Sequence, residues 1–244
     1  MVVREFLVVH EYGTVIFHQR YSKSSQDIVL RSGLISALYN FAQEVERDSI
    51  DVLRMEKVSL LFKKRDLLIF VLFFDSTVNP EWCKQEIDIL ANNFFMAFPD
   101  VLWSTEIVNL SRFKSFDMDS DRILTALNRK LELILYLIEE GLITEEEYEE
   151  SNFHTLGQIV GTRLLDRFHN QFSYVLGQGS ELIFSQIDLL LDLLNATHVQ
   201  RHGSKYTFDC AHCFLCEDRQ DCFFSGVMSQ IRKILNLDLE TSFL

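Results

Sequence analysis

The apolar and polar positions of the first hundred residues alternate between two periods. Residues 5–10 are rich in β-formers, Tyr12-Gly13 reads as a tight turn, and residues 14–21 return as a second strand, which predicts a hairpin. Ser24, Ser25 and Asp27 then offer N-caps for a helix on which Ile28, Leu34, Ile35, Leu38, Phe41, Ala42 and Val45 recur near helical spacing. Three strand-like runs follow at 51–54, 57–62 and 67–74. The last is apolar at both alternating sets of positions, the pattern of a central strand covered on both faces. Lys63-Lys64-Arg65 is either a local basic patch or, more simply, a solvated turn between strands. Asn79-Pro80 opens a second helix, because proline suits a first turn. It carries Trp82, Ile87, Leu90, Ala91, Phe94 and Phe95 toward a core and ends before Pro99.

Residues 119–138 form a strong helical pattern with Ile123, Leu124, Leu127, Leu131, Ile134, Leu135 and Ile138 on one face, and Gly141 suits its C-cap. Thr144 precedes Glu145-Glu146-Glu147, an acidic first turn that capping explains better than metal binding does. A further amphipathic helix spans 154–171. Its Gly157 and Gly161 lie four apart on one face. Each costs about 1 kcal/mol of helix propensity against alanine, so the pair predicts close approach of another backbone. Residues 181–195 are apolar on nearly all sides, which calls for full burial or a partner surface. A hairpin is expected across Val199-Gln200, Gly203 and 205–209, and residues 225–235 read as a closing helix or strand.

Composition narrows the picture. The chain has 244 residues, 48% of them hydrophobic, with only 2 prolines and 9 glycines, so long linker-like stretches are not expected. A net charge of −13 disfavours nucleic acid as the main partner, and a general basic surface for anionic lipid is missing as well. Arg4 and Glu5 interrupt any signal-peptide core, and the longest apolar run, 67–74, falls far short of the ~20 residues a membrane-spanning helix needs. These features predict a cytoplasmic protein without a transmembrane segment; peripheral membrane association stays open.

Four of the five cysteines stand close together: Cys210, Cys213, Cys216 and Cys222, spaced Cys-x2-Cys-x2-Cys-x5-Cys. In a reducing compartment such a cluster points to metal before disulfides. Four thiolates satisfy tetrahedral zinc and leave no open position, so the zinc would be structural. An iron–sulfur cluster is the alternative, although the spacing before the fourth cysteine is longer than in the bacterial ferredoxin run and Phe223 stands where that run has proline. A cluster without metal is the third reading. His198, His202 or His212 are substitute ligands. Catalytic signatures are thin: no Gly-x-Ser-x-Gly, phosphate-loop or dinucleotide motif occurs, so no catalytic residue and no organic cofactor is assigned. Cys83 on its amphipathic helix reads as a small buried hydrophobe.

Two resemblances follow from these segments. The order strand, strand, helix, strand, strand, strand, helix over residues 1–116 resembles the longin fold of trafficking proteins and small-GTPase regulators. The stretch Leu156-Gly157-Gln158-Ile159-Val160-Gly161-Thr162-Arg163-Leu164-Leu165-Asp166-Arg167-Phe168 resembles the first helix of the Bet-type subunits of TRAPP and of 4-vinyl-reductase domains. Tyr206-Thr207-Phe208-Asp209-Cys210 with Cys213, and Cys222-Phe223-Phe224-Ser225-Gly226, are similar to the cysteine strand and closing element of those domains. The implied class is α+β with two domains: a longin-like domain at 1–116, a helical linker hairpin at 117–151, and a 4-vinyl-reductase/TRAPP-like domain with the zinc cluster at 152–244. The implied role is a non-enzymatic scaffold that meets a small GTPase or TRAPP-like subunits as a homodimer or hetero-oligomer. The runner-up is a sensor of a small hydrophobic ligand or of redox state. Residues 169–182 contain no cysteine, so the acylation known in one TRAPP subunit is not expected here.

Overall fold

The computed structural model describes residues 2–21, 27–99, 110–169, 172, 180–194, 196, 199–202, 205–208, 222–235, 237 and 240–243. The chain divides into two compact units, Met1–Glu132 and Leu133–Leu244.

Unit 1 is built on a five-stranded antiparallel sheet. Its strands are β1 (Val3–His10), β2 (Val15–Arg20), β3 (Val52–Arg54), β4 (Val58–Arg65) and β5 (Leu68–Asp75), in the spatial order β2-β1-β5-β4-β3. The β1–β2 hairpin closes through Gly13 at φ 90°, a conformation glycine adopts without steric cost. Strand β5 lies at the centre, and every residue from Leu68 to Phe74 is buried, as its unbroken apolar run predicts. Helix α1 (Ile28–Phe41), capped by Asp27, covers one face. There Ile35 and Tyr39 pack on Leu7, Val9, Leu60, Phe62, Ile69, Val71 and Phe73. On the other face, helix α2 (Lys84–Ala97) follows a 3-10 turn, Pro80–Cys83, capped by Asn79. Its Phe94 meets Phe70 edge-on at 5.7 Å and stacks on Phe113 at 5.6 Å, while Phe116 reaches Phe17 at 5.3 Å. Phe17, Phe70, Phe94, Phe113 and Phe116 thus fill this side of the sheet.

The Lys63-Lys64-Arg65 triplet is strand, not turn. It ends β4, and strand alternation sends its side chains to opposite faces. Lys63 pairs with Asp88 at 2.7 Å and Lys64 with Glu11 at 3.1 Å, while Arg65 donates to Asn92 and lies over the Phe95 ring. A loose basic patch is therefore not what the triplet forms. Cys83 is fully buried, and burial pushes its thiol up to about 12, with Glu86 adding to the rise. It is an inert core residue, as the sequence suggests.

Helix α3 (Asp117–Glu139) carries Ser120, Leu124 and Asn128 in unit 1, where Asn128 Oδ1 accepts from the backbone amides of Val2 and Val3 at 2.7 and 3.0 Å. It ends at Gly141, which takes φ 66°. In unit 2, helix α4 (Glu145–Glu150) opens with a complete Thr144–Glu147 capping box. Glu147 also receives both ends of the Arg163 guanidinium at 2.7 Å, so this acidic turn is occupied by capping and pairing. Arg163 foremost, with the helix cap, holds the Glu147 carboxyl below its usual range. Helices α5 (Phe153–Arg167), α6 (Ser180–Leu193) and α7 (Phe223–Leu235) surround one core, together with a three-stranded sheet of β6 (Val199–His202), β7 (Lys205–Phe208) and β8 (Glu240–Phe243). The closing element is a helix. A strand then follows it, parallel to β7, which the apolar pattern does not predict.

Candidate functional site

Helix α1 buries Ile35 and Tyr39 but leaves a second set of large apolar side chains in water. The residues it buries include Ser32 and Ser36, while Leu30, Leu34 and Phe41, with Val45 of the π-helical turn Ala42–Glu46 that follows, are 74, 60, 58 and 58% exposed. Of the residues that recur at helical spacing, Leu34, Phe41 and Val45 therefore face outward. The cause lies in the hairpin turn that α1 sits on. Ser32 Oγ donates to the Gly13 carbonyl at 2.8 Å, Asn40 Nδ2 to the Glu11 carbonyl at 3.1 Å, and Ser36 Oγ to that same oxygen. Turn carbonyls facing a helix need donors, and small hydroxyls supply them at short range. Leucines on that side would leave the carbonyls buried and unpaired, so the apolar stripe is turned outward.

Beside that stripe the sheet is left partly uncovered. Leu30, Leu34 and Leu38 of α1 line a groove of about 540 Å³ with Leu53 of β3, Val58 and Leu60 of β4, Met55 of the turn between them, and Phe73. Arg4, Glu5, Asp27 and Arg31 stand at its polar end. Glu5 is a carboxylate only 2% exposed. Arg31 donates to its Oε2, His18 Nε2 lies 2.7 Å from Oε1, and Arg20 Nη2 is 3.9 Å from the same oxygen. Burial alone would raise the Glu5 pKa, but His18 and Arg31 outweigh it and hold the carboxyl below its usual value. The Arg31 guanidinium also lies 5.1 Å over the Phe73 ring, so one ion pair fixes helix to sheet.

In unit 2 the described part of the cysteine region is its two flanks. Strand β7 ends at Phe208. Its Tyr206, fully buried, donates to Asp188 Oδ1 at 3.1 Å, and Arg201 of β6 donates to Asp188 Oδ2 at 2.8 Å, which fastens the hairpin to α6. Burial, then the Asp188 charge, pushes the Tyr206 hydroxyl well above its usual range, so it stays a donor. Cys222 is fully buried immediately before α7. Cys210, Cys213 and Cys216, with His198 and His212, lie outside the described residues. Among the described residues no group of three or more His, Cys, Asp or Glu is placed to hold a metal.

The glycines of α5 find their partner. A Cβ on Gly157 would stand 1.9 Å from the Phe223 carbonyl oxygen, and one on Gly226 would stand 2.0 Å from the His154 carbonyl oxygen. Helices α5 and α7 therefore touch backbone to backbone at the residue that follows Cys222. On α6, Leu182, Leu189 and Leu193 are 44, 55 and 45% exposed while Ile183, Phe184, Ile187, Leu190 and Leu191 are buried. One side of α6 is thus buried in the core and the other is left exposed, so the helix is not fully buried.

No family model and no curated protein matches the chain. Solved structures similar to it include the mammalian SRP receptor, at 15% identity and TM-score 0.36, covering 52% of this chain and 95% of that one. A Roadblock/LC7 domain from Streptomyces avermitilis is similar at 11% identity and TM-score 0.32, over 38% of this chain and 82% of that one. The gliding protein MglB from Thermus thermophilus is similar at 15% identity and TM-score 0.30, over 37% of this chain and 71% of that one. Among the described residues no helix is long and apolar enough to cross a membrane.

Proposed function

We propose that this protein is a non-enzymatic interaction scaffold, with a longin-like unit joined to a TRAPP Bet-like unit, which recruits a small GTPase or a TRAPP-type subunit. The observation that carries the reading is the outward apolar stripe of α1 with its adjoining groove. A contiguous row of large apolar side chains left in water marks a contact surface, whereas singly scattered ones need no explanation. The element order of unit 1 supports the longin part, and the reciprocal glycine contact between α5 and α7 supports the Bet-like part. The test is a benzophenone amino acid introduced at Leu34 in cells. Covalent adducts to protein are expected at Leu34 and not at Met118, an exposed residue outside the stripe. Equal labelling at the two positions would end the scaffold reading.

In the same scheme Cys210, Cys213, Cys216 and Cys222 would hold one structural zinc. Burial of Cys222 directly ahead of α7 supports this, because a metal there would tie the end of β7 to the helix that docks on α5. Elemental analysis is expected to give one zinc per chain, lost together with unit 2 stability in Cys213→Ser. Iron in a brown protein would replace zinc with the iron–sulfur alternative. Metal loss that leaves the melting curve unchanged would remove the structural role.

A further inference from the structure

We draw no further inference here: the strongest candidate, the exposed apolar face of α1 with the groove between it and β3 and β4, is the contact surface already proposed, and nothing in the structure shows what covers it.

Discussion

Gly226→Ala is expected to destabilise unit 2 by about 3 kcal/mol, enough to lower its melting temperature by roughly 10 °C. The new methyl would stand 2.0 Å from the His154 carbonyl oxygen and 2.9 Å from its carbon. A carbon and a carbonyl oxygen normally approach no closer than about 3.3 Å, so more than 1 Å of room must be found. The obstacle is helical backbone, which has no rotamer to change. The only relief is to move α7 away from α5, and that loosens Val160, Leu164, Val227, Met228 and Ile231, all fully or almost fully buried around the crossing. Against this, alanine recovers only about 1 kcal/mol of helix propensity.

The glycines form a graded series that isolates the cause. Gly157→Ala should cost as much as Gly226→Ala, because its methyl would meet the Phe223 oxygen at 1.9 Å. Gly161→Ala should cost less, because its nearest neighbours, the Val227 carbonyl oxygen at 3.0 Å and Gln230 Cβ at 3.2 Å, ask for a shift of a few tenths of an ångström and not of more than 1 Å. Gly33→Ala on α1 meets open space and should stabilise the protein by up to about 1 kcal/mol. Thermal melts of the four variants check the order. Equal losses at Gly226 and Gly161 would mean that the backbone contact is not what these glycines are for.

The close crossing was legible before the structure, because two glycines four apart on a helix carry a propensity cost that only packing offsets. Strand β5 was legible for a similar reason: an eight-residue apolar run is too short for a buried helix of ordinary length and suits a strand covered on both faces. The face of α1 was not. Periodicity reports where apolar residues fall on a helix, but it does not say which way that stripe points. The deciding facts were the carbonyls of Gly13 and Glu11, which come from a hairpin turn distant in sequence and claim Ser32, Ser36 and Asn40 as donors. Two serines four apart, flanked by leucines, were the available signal. The Lys63-Lys64-Arg65 triplet misled in the same way, since each side chain is matched by a partner on a different element. The cysteine spacing remains the basis for the metal, with only Cys222 among the described residues.

Glu5→Gln is expected to lower the stability of unit 1 by about 3 kcal/mol at pH 7, at the low end for removing one partner of a buried ion pair. The amide keeps the shape of the side chain but removes the anion, leaving Arg31, Arg20 and His18 around a neutral group. Those three are 15, 26 and 25% exposed at their side chains, so water screens part of the imbalance and holds the cost toward that lower value. The pH dependence carries the clearer signature. The Glu5 carboxyl is held below its ordinary 4.5 in the folded chain, so the folded state favours the ionised form. Its contribution is therefore present in full above about pH 4.5 and fades as the pH falls through the lowered folded value. Melting temperatures of the parent chain and of Glu5→Gln should differ by a constant amount near neutrality and converge below pH 4.5. Arg31→Gln should be similarly destabilising alone, and the double variant should cost less than the sum, because the second change removes a charge the first had stranded. Parallel curves down to pH 3, or strict additivity of the two changes, would show that Glu5 is not the anchor that sets α1 on its sheet with its leucines facing outward.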